Sequence, residues 1–406
     1  MTLATPSFAP LDMRDDLVAF RAEVRAWLQA TVPSDWRERM SGASEDAYVA
    51  YQRWWFEEMR KVGLATPHWP KEWGGAELSL RHQTLIFEEI ARLDAPNPDL
   101  FVISLYHLPA TLFAHGTKAQ QARYLKGVQE RGEVWCQGFS EPGAGSDLAS
   151  LRTRAERKGE VYVVNGQKVW SSYARHADYC LLLARTDPNA PKKQAGISYF
   201  ILDMKTPGVT VRPIRQPTGQ AEFCEIFFDN VEIPAENLIG QENQGWMIAQ
   251  STLSAERGLI IFEYSERMAH ALAKDLEEVA DGRANWFEDA QFRREFMTAY
   301  AQMNGLRLLI RDMMTDVETH GEISDANKPS LIKIQFSELL RRYTDLRLKI
   351  EGIEAQKQRP NILGGGLQTG NRMYDFLFSY SWTIAGGANE VIKNIIAERA
   401  LGLPRG

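Results

Sequence analysis

The spacing of hydrophobic residues changes twice along this chain, and those two changes limit the folds open to it. Up to about residue 131, apolar side chains recur at helix spacing, as in Leu17, Phe20, Val24, Trp27 and Leu28, and again in Tyr51, Trp54, Trp55 and Met59. Helices are expected at about 46–62, 79–93, 98–115 and 118–130, with the Pro/Gly-rich stretch Gly63–Gly75 as a loop. From Val134 the runs become short and β-branched or aromatic: Val161–Val164, Tyr179–Ala184, Ile197–Leu202, Val209–Ile214 and Glu225–Phe228. This β-block ends near Val231–Gly240. Helix spacing returns at Gly245, in one long pattern from Trp246 to Val279 and others at about 288–320, 328–358 and 371–401. A Gly-rich break covers Asn361–Gly370. With 406 residues, 44% of them hydrophobic, the chain has material for two or three cores. The expected class is α+β: a helical domain over 1–131, a β-domain over 132–242 and a helical domain over 243–406.

Composition removes several functions. A formal net charge of −6 argues against a general nucleic-acid binder. Cys136, Cys180 and Cys224 are odd in number and far apart, and the seven histidines are scattered. Neither a disulfide framework nor a metal site is expected. No charged-then-apolar leader and no apolar run of membrane length is present, so the expectation is a cytoplasmic protein without membrane insertion.

The chemistry concentrates between Trp135 and Arg185. W-C-Q-G-F-S-E-P-G-A-G-S-D-L is followed by V-Y-V-V, N-G-Q-K-V-W-S-S and A-D-Y-C-L-L-L-A-R-T. Ser140, Gly143, Gly145, Ser146, Ser171 and Ser172 read as turn residues, with Trp170 before the last pair. Separately, each piece is an ordinary turn. Together, backbone N–H groups open to close approach, single directional hydroxyls and a flat indole suit a planar, polar-edged ligand such as a flavin.

These strings resemble the flavin-binding segment of the acyl-CoA dehydrogenase family, T/S-E-P-x-A/G-G-S-D, N-G-x-K-x-W-I/S-T/S and A-D. The resemblance covers nearly the whole chain. It includes P-H-W-P-K-E-W-G-G in the first block and F-F-D-N-V-E-I-P-A-E-N-L-I-G-Q-E-N-Q-G-W at the β-to-helix junction. It also includes I-A-G-G-A-N-E-V-I-K-N-I-I-A-E-R-A-L-G-L-P-R near the end. It implies that family's fold, with a barrel-like or sandwich-like β-domain and a C-terminal four-helix bundle. It implies FAD and the α,β-dehydrogenation of an acyl-CoA thioester to a trans-2-enoyl-CoA. Phe139, Ser140, Gly145, Ser146, Trp170, Ser171, Ser172, Ala388, Asn389 and Glu390 would then contact the cofactor. Ser146, Arg257 and Gly387 would contact substrate, with Ser146 near the pantetheine arm and the Gly387 N–H near the thioester carbonyl.

The reaction needs a carboxylate to take a weakly acidic proton from the carbon next to the thioester. Many family members carry it in I-Y-E-G-T-x-Q-I. The matching position here is Gly386, which has no side chain to use. Glu256, in S-T-L-S-A-E-R-G-L, stands in a mostly apolar helical pattern with Ala249, Thr252, Leu253, Leu259, Ile260 and Glu263. A Glu–Arg pair on a helix surface is the plainer reading of 256–257. The resemblance extends to a branch whose base comes from this helix in an E-R-L context, including isovaleryl-CoA and long-chain acyl-CoA dehydrogenases, and there Gly386 is the expected complement. Glu141 and Glu390 are the rival carboxylates; in the family both serve the cofactor.

One departure stands out. Family members often assemble as tetramers in which a neighbour supplies R-x-x-F-G and Q-x-x-G-G-x-G to the adenosine half of the flavin. The corresponding stretches here, Ala280–Phe296 and Asn361–Gly370, carry neither. The expected partners are an electron-transfer flavoprotein and either identical subunits, as dimer or tetramer, or a homologous subunit in a heteromer. Alternatives on the same fold are a flavin oxidase or monooxygenase, and a subunit of a heteromeric dehydrogenase.

Overall fold

A computed structural model describes Phe8, Pro10 and residues 15–256, 259–321, 323–357, 369 and 371–404. Within it the chain forms two compact units. One comprises Met1–Tyr48, Glu77–Asn97 and Arg257–Gly406, the other Val49–Ala76 and Pro98–Glu256.

The first unit is helical, built from Asp15–Thr31, Leu80–Arg92, Leu259–Ala280, Ala290–His320, Lys328–Glu351, Arg372–Ile384 and Asn389–Arg399 among others. Local chemistry sets several ends. The Asp289 carboxylate accepts from the N–H groups of Gln291 and Phe292 at 2.7 and 3.1 Å, starting the Ala290 helix. Gly321 ends that helix at φ 77°, the left-handed conformation that glycine adopts without a Cβ clash. Asn371 caps the Arg372 helix through the Tyr374 N–H at 3.1 Å. Two expected spans are corrected. The pattern over 328–358 is helical only to Glu351, where Gly352 turns to φ 62° and a 3-10 segment, Gly352–Gln356, follows. The pattern over 371–401 is two helices, because Gly386 and Gly387 take φ 65° and 95°. The stretch 246–279 is helical on both sides of residues 257 and 258, which lie outside the described residues.

Helix periodicity accounts for this unit's apolar core, including Met268, Leu272, Phe296, Met303, Leu306, Ile310, Phe336 and Leu340. It does not account for the charges buried beside them. Arg21 donates to Glu88 at 2.7 Å and Glu89 at 2.9 Å. Arg307 donates to Glu266 at 2.6 Å, and Arg267 to Glu263 at 2.9 Å. Buried carboxylates persist in a core only when each has a hydrogen-bonded counter-charge.

The second unit centres on a curled seven-stranded sheet: β1 (Trp135–Gly138), β2 (Arg154–Lys158), β3 (Val161–Ser172), β4 (Tyr179–Arg185), β5 (Ile197–Asp203), β6 (Val209–Pro213) and β7 (Phe223–Pro234). β4 pairs in parallel with β1 and antiparallel with β5, and meets β2 where Arg185 opposes Arg154. β3 then joins β2 to β7, and β6 lies beyond β7. Cys136, Tyr162, Val164, Leu182, Phe200, Ile226 and Val231 fill the sheet's core, together with Cys180 and Cys224. All three cysteines are free and buried. β3 is longer than the expected Val161–Val164, and this corrects the reading of Ser171 and Ser172 as turn residues. Both are on the strand, and Ser172 opposes Phe223 of β7.

The expected 98–115 helix is a succession of a 3-10 turn, a π turn over Ile103–His107 and an α-helix over Leu108–His115. Pro109 has no N–H to give to the carbonyl four residues back, and the backbone widens just before it. His107 in that π turn is fully buried, which pushes its imidazole down to about 4. In the unfolded chain it titrates near its ordinary value of 6.5. A base with a depressed folded pKa stabilises the fold above the unfolded value and loses that contribution as pH falls toward the folded one. The expected result is a loss of about 3 kcal/mol between pH 6.5 and 4 from this residue alone. Melting temperatures measured across that window check it: His107→Gln should flatten the decline, and an unchanged slope would remove the assignment. Among the described residues no helix is long and apolar enough to cross a membrane.

Candidate active site

Phe139–Ser146 leaves the end of β1 as a tight loop. The Glu141 and Ala144 backbones exchange two hydrogen bonds of 3.0 Å, which closes the turn through Pro142 and Gly143. The loop is tied to β3 by the Val169 N–H, which donates to the Ser140 carbonyl at 2.9 Å. Beneath it lies Lys168, whose side chain is wholly buried. Its ammonium donates to the Phe139 carbonyl at 2.9 Å and to Glu141 Oε1 at 2.8 Å. The Glu141 carboxylate also accepts from the N–H groups of Arg152 at 2.6 Å and Thr153 at 2.9 Å. Burial pushes Lys168 down to about 8 against the opposing pull of Glu141. Burial would raise Glu141, but the Lys168 charge and the hydrogen bonds outweigh it and hold the carboxyl below its usual range.

This pair explains the spacing of the two motifs. The E of S-E-P-G-A-G-S-D and the K of N-G-Q-K-V-W-S-S are partners across the loop and the strand. Sequence reading passes over Lys168, and the available signal was a lysine between the hydrophobic positions of a strand.

The register of β3 against β7 shifts between Lys168 and Ser171, and Trp170 sits in that irregularity with φ 63°. A bulge turns a side chain out of the alternating pattern. Trp170 is accordingly 57% exposed, with Phe223 edge-on at 6.1 Å, while Ser171 next to it is fully buried. Among the described residues the Ser171 Oγ has no hydrogen-bond partner. Gly143 and Gly145 are equally telling. Among the described residues a Cβ built on either meets nothing within 4 Å, so their packing does not demand glycine there. Ser146 is exposed beside them, and Ser140 and Ser172 are half-buried. An outward indole, an orphaned buried hydroxyl and glycines with open space are features that would suit a flat, polar-edged ligand.

Gly387, Ala388, Asn389 and Glu390 belong to the helical unit. A second buried lysine organises them. Lys333 donates to the Gly387 carbonyl and to Asn389 Oδ1, each at 2.7 Å. The Asn389 amide donates to Ser337 Oγ and Glu338 Oε1, each at 3.0 Å. The Asn389 side chain thus pins the start of its helix, leaving the turn at Gly386–Gly387 in a defined conformation. Ala388 is the residue before the helix, and Glu390 lies exposed in its first turn, where a negative charge is favoured. Lys333 also escapes sequence reading, although it falls in the stripe of Ile332, Phe336 and Leu340.

Glu256 closes the Gly245–Glu256 helix; its side chain, and Arg257 altogether, lie outside the described residues. Glu141 is occupied by Lys168 and two backbone N–H groups, which leaves it bound into the loop rather than available to a substrate carbon.

Three family profiles match in chain order. "Acyl-CoA dehydrogenase, N-terminal domain" covers residues 14–131, the middle domain 136–231 and the C-terminal domain 243–401. The acyl-CoA dehydrogenase IpdE1 of Mycobacterium tuberculosis is 37% identical over 395 residues, 96% of this chain and 98% of that protein. Among solved structures, the Tcur3481-Tcur3483 steroid ACAD has a TM-score of 0.84 at 30% identity, spanning 98% of this chain and 100% of that one. The ChsE4-ChsE5 complex from Mycobacterium tuberculosis has a TM-score of 0.80 at 27% identity, spanning 98% and 100%.

Proposed function

The chain belongs to the acyl-CoA dehydrogenase family of oxidoreductases, and from that premise we propose that it binds FAD and desaturates a ring-bearing acyl-CoA thioester between its α and β carbons. The observation that carries the cofactor reading is the bulge at Trp170, with its outward indole and the unpartnered Ser171 hydroxyl beneath. Phe139, Ser140, Gly145, Ser146, Trp170, Ser171 and Ser172 would hold the FAD; Ala388, Asn389 and Glu390 are proposed as further cofactor contacts. When bound, FAD supplies the acceptor for the hydride that leaves the β-carbon. Glu256 takes the α-proton onto its carboxylate, and the Gly387 N–H polarises the thioester carbonyl. Ser146 contacts the pantetheine arm, and Arg257 contacts the substrate. The α C–H electrons form the new C=C bond as the β C–H bond breaks.

A ring-bearing acyl group is supported by the steroid ACAD at 30% identity over nearly the whole chain. Work as an oligomer, or with a homologous subunit, is supported by the likeness to the ChsE4-ChsE5 complex and by the missing R-x-x-F-G and Q-x-x-G-G-x-G strings. In this reading 1–131, 132–242 and 243–406 act as the family's three domains, the protein is cytoplasmic, and electrons pass on to an electron-transfer flavoprotein.

The visible spectrum of the purified protein, followed by titration with ring-bearing and straight-chain acyl-CoAs, tests the reading. An oxidised-flavin spectrum bleached first by the ring-bearing thioester is the expected result. A folded, colourless protein that gains no colour with added FAD or a co-expressed homologous subunit would sink it.

A further inference from the structure

Thr111, Tyr199 and Thr252 are wholly buried and polar, and they meet at one point of the sheet-containing unit. Thr111 Oγ1 lies 2.8 Å from the His107 carbonyl and 2.6 Å from Thr252 Oγ1. Thr252 Oγ1 lies 3.3 Å from the Tyr199 hydroxyl. A hydroxyl carries one proton, and counting protons orients the chain. The Thr111 proton goes to the His107 carbonyl, which offers none. Thr252 must therefore donate to Thr111, and Tyr199 to Thr252. Burial pushes the Tyr199 phenol far up, so it keeps its proton and remains a donor.

Each member belongs to a different element. His107 and Thr111 lie where the π turn passes into the Leu108–His115 helix, Tyr199 is on β5, and Thr252 is on the Gly245–Glu256 helix. That last helix is already held at its start. A Cβ on Gly245 would lie 2.4 Å from the Ser198 carbonyl carbon, so the backbones are in close contact there. Just before it, the Asn243 N–H donates to Ser198 Oγ at 2.7 Å, and the Asn243 side chain meets Thr186 Oγ1 at 2.6 Å. One attachment leaves a helix free to roll about its axis; a second, two turns on at Thr252, removes that freedom. Position 256 follows one turn later, at the helix end. Tyr199 also stands edge-on to Phe139, ring centroids 5.5 Å apart, at the start of the loop assigned to the flavin edge.

We propose that Thr252, held between Tyr199 and Thr111, is a positioning residue for the reaction. The hydroxyl chain sets the roll of the helix that ends in Glu256 relative to Phe139 and the flavin loop. The inference rests on Glu256 being the base. Because a displacement of about 1 Å in a reacting group can cost up to about a hundredfold in rate, an effect of about tenfold is expected from loss of the link.

The test compares Thr252→Val, which keeps the shape and removes the hydroxyl, with Thr252→Ser and Tyr199→Phe. Flavin content, melting temperature, the pH profile of flavin bleaching at saturating acyl-CoA and solvent deuterium exchange at the substrate α-carbon are read for each. The expected result is full flavin content, with bleaching and α-exchange slowed about tenfold in Thr252→Val and Tyr199→Phe and a shifted acid limb of the profile. Thr252→Ser should restore both rates. Unchanged α-exchange in a folded Thr252→Val or Tyr199→Phe overturns the inference. Glu256→Gln, run in parallel, separates the two ideas. If it is inert while Thr252→Val and Tyr199→Phe run at wild-type rate, only the positioning role fails; if it exchanges the α-proton normally, the base assignment and this inference fail together.

Discussion

Glu256→Gln leaves a folded, yellow protein whose flavin acyl-CoA no longer bleaches, with the reductive step slowed by about 10²–10⁴-fold, the usual weight of a positioned general base. Glutamine matches the shape of glutamate, retains hydrogen bonding and cannot take a proton. Substrate should therefore still bind and perturb the flavin spectrum while the α C–H bond stays intact. The prediction is sharp because the rivals have other duties. Gly386 brings no side chain to the position where many relatives carry the base. Glu141 is bound to Lys168 and to two backbone N–H groups. Glu390 is exposed in the first turn of its helix. Stopped-flow absorbance with wild-type and variant protein decides it, and bleaching at the wild-type rate by Glu256→Gln would end the assignment.

The second large effect is on the cofactor loop. Lys168→Met should cost about 3–5 kcal/mol, because it strands the Glu141 carboxylate in a buried site and takes a donor from the Phe139 carbonyl. For a unit of this size that lowers the melting temperature by about 10 °C. The loop that Lys168 latches to β3 also carries Phe139, Ser140, Gly145 and Ser146, proposed above to contact FAD, so the variant should purify with little flavin. The double variant Lys168→Met/Glu141→Gln should recover part of the lost stability, since no unpaired charge remains. Calorimetry with flavin quantitation across the cycle checks this, and a fully stable, flavin-saturated Lys168→Met would show that the pair does not hold the loop. The cycle has a pH counterpart. Glu141 titrates below its usual range in the fold, so its contribution is present above the unfolded value of 4.5 and is lost as pH falls through the folded one.

Much of this protein was legible in its residues. The change from helix to strand spacing near Val134, and back at Gly245, follows from the two side-chain periodicities and needs no tertiary knowledge. The motif strings between Trp135 and Arg185 likewise announce a ligand, since glycines and hydroxyls concentrated beside an aromatic residue serve a packed core poorly. Tertiary structure decided which of those residues turn outward. The Trp170 side chain is exposed and the Ser171 hydroxyl buried because β3 slips its register against β7, and register depends on a partner strand some fifty residues away. Lys168 and Lys333 stand among hydrophobic positions of their elements, but the pattern alone names no partner for either charge. Their roles exist only because folding brings the Glu141 carboxylate and the Phe139 carbonyl to Lys168, and the Asn389 amide oxygen and the Gly387 carbonyl to Lys333. The same holds for Arg307 with Glu266, and for the Tyr199–Thr252–Thr111 chain. A hydrophobic pattern reports what one face of one element buries. Burying a polar group depends on partners from other elements, and only the assembled fold supplies them.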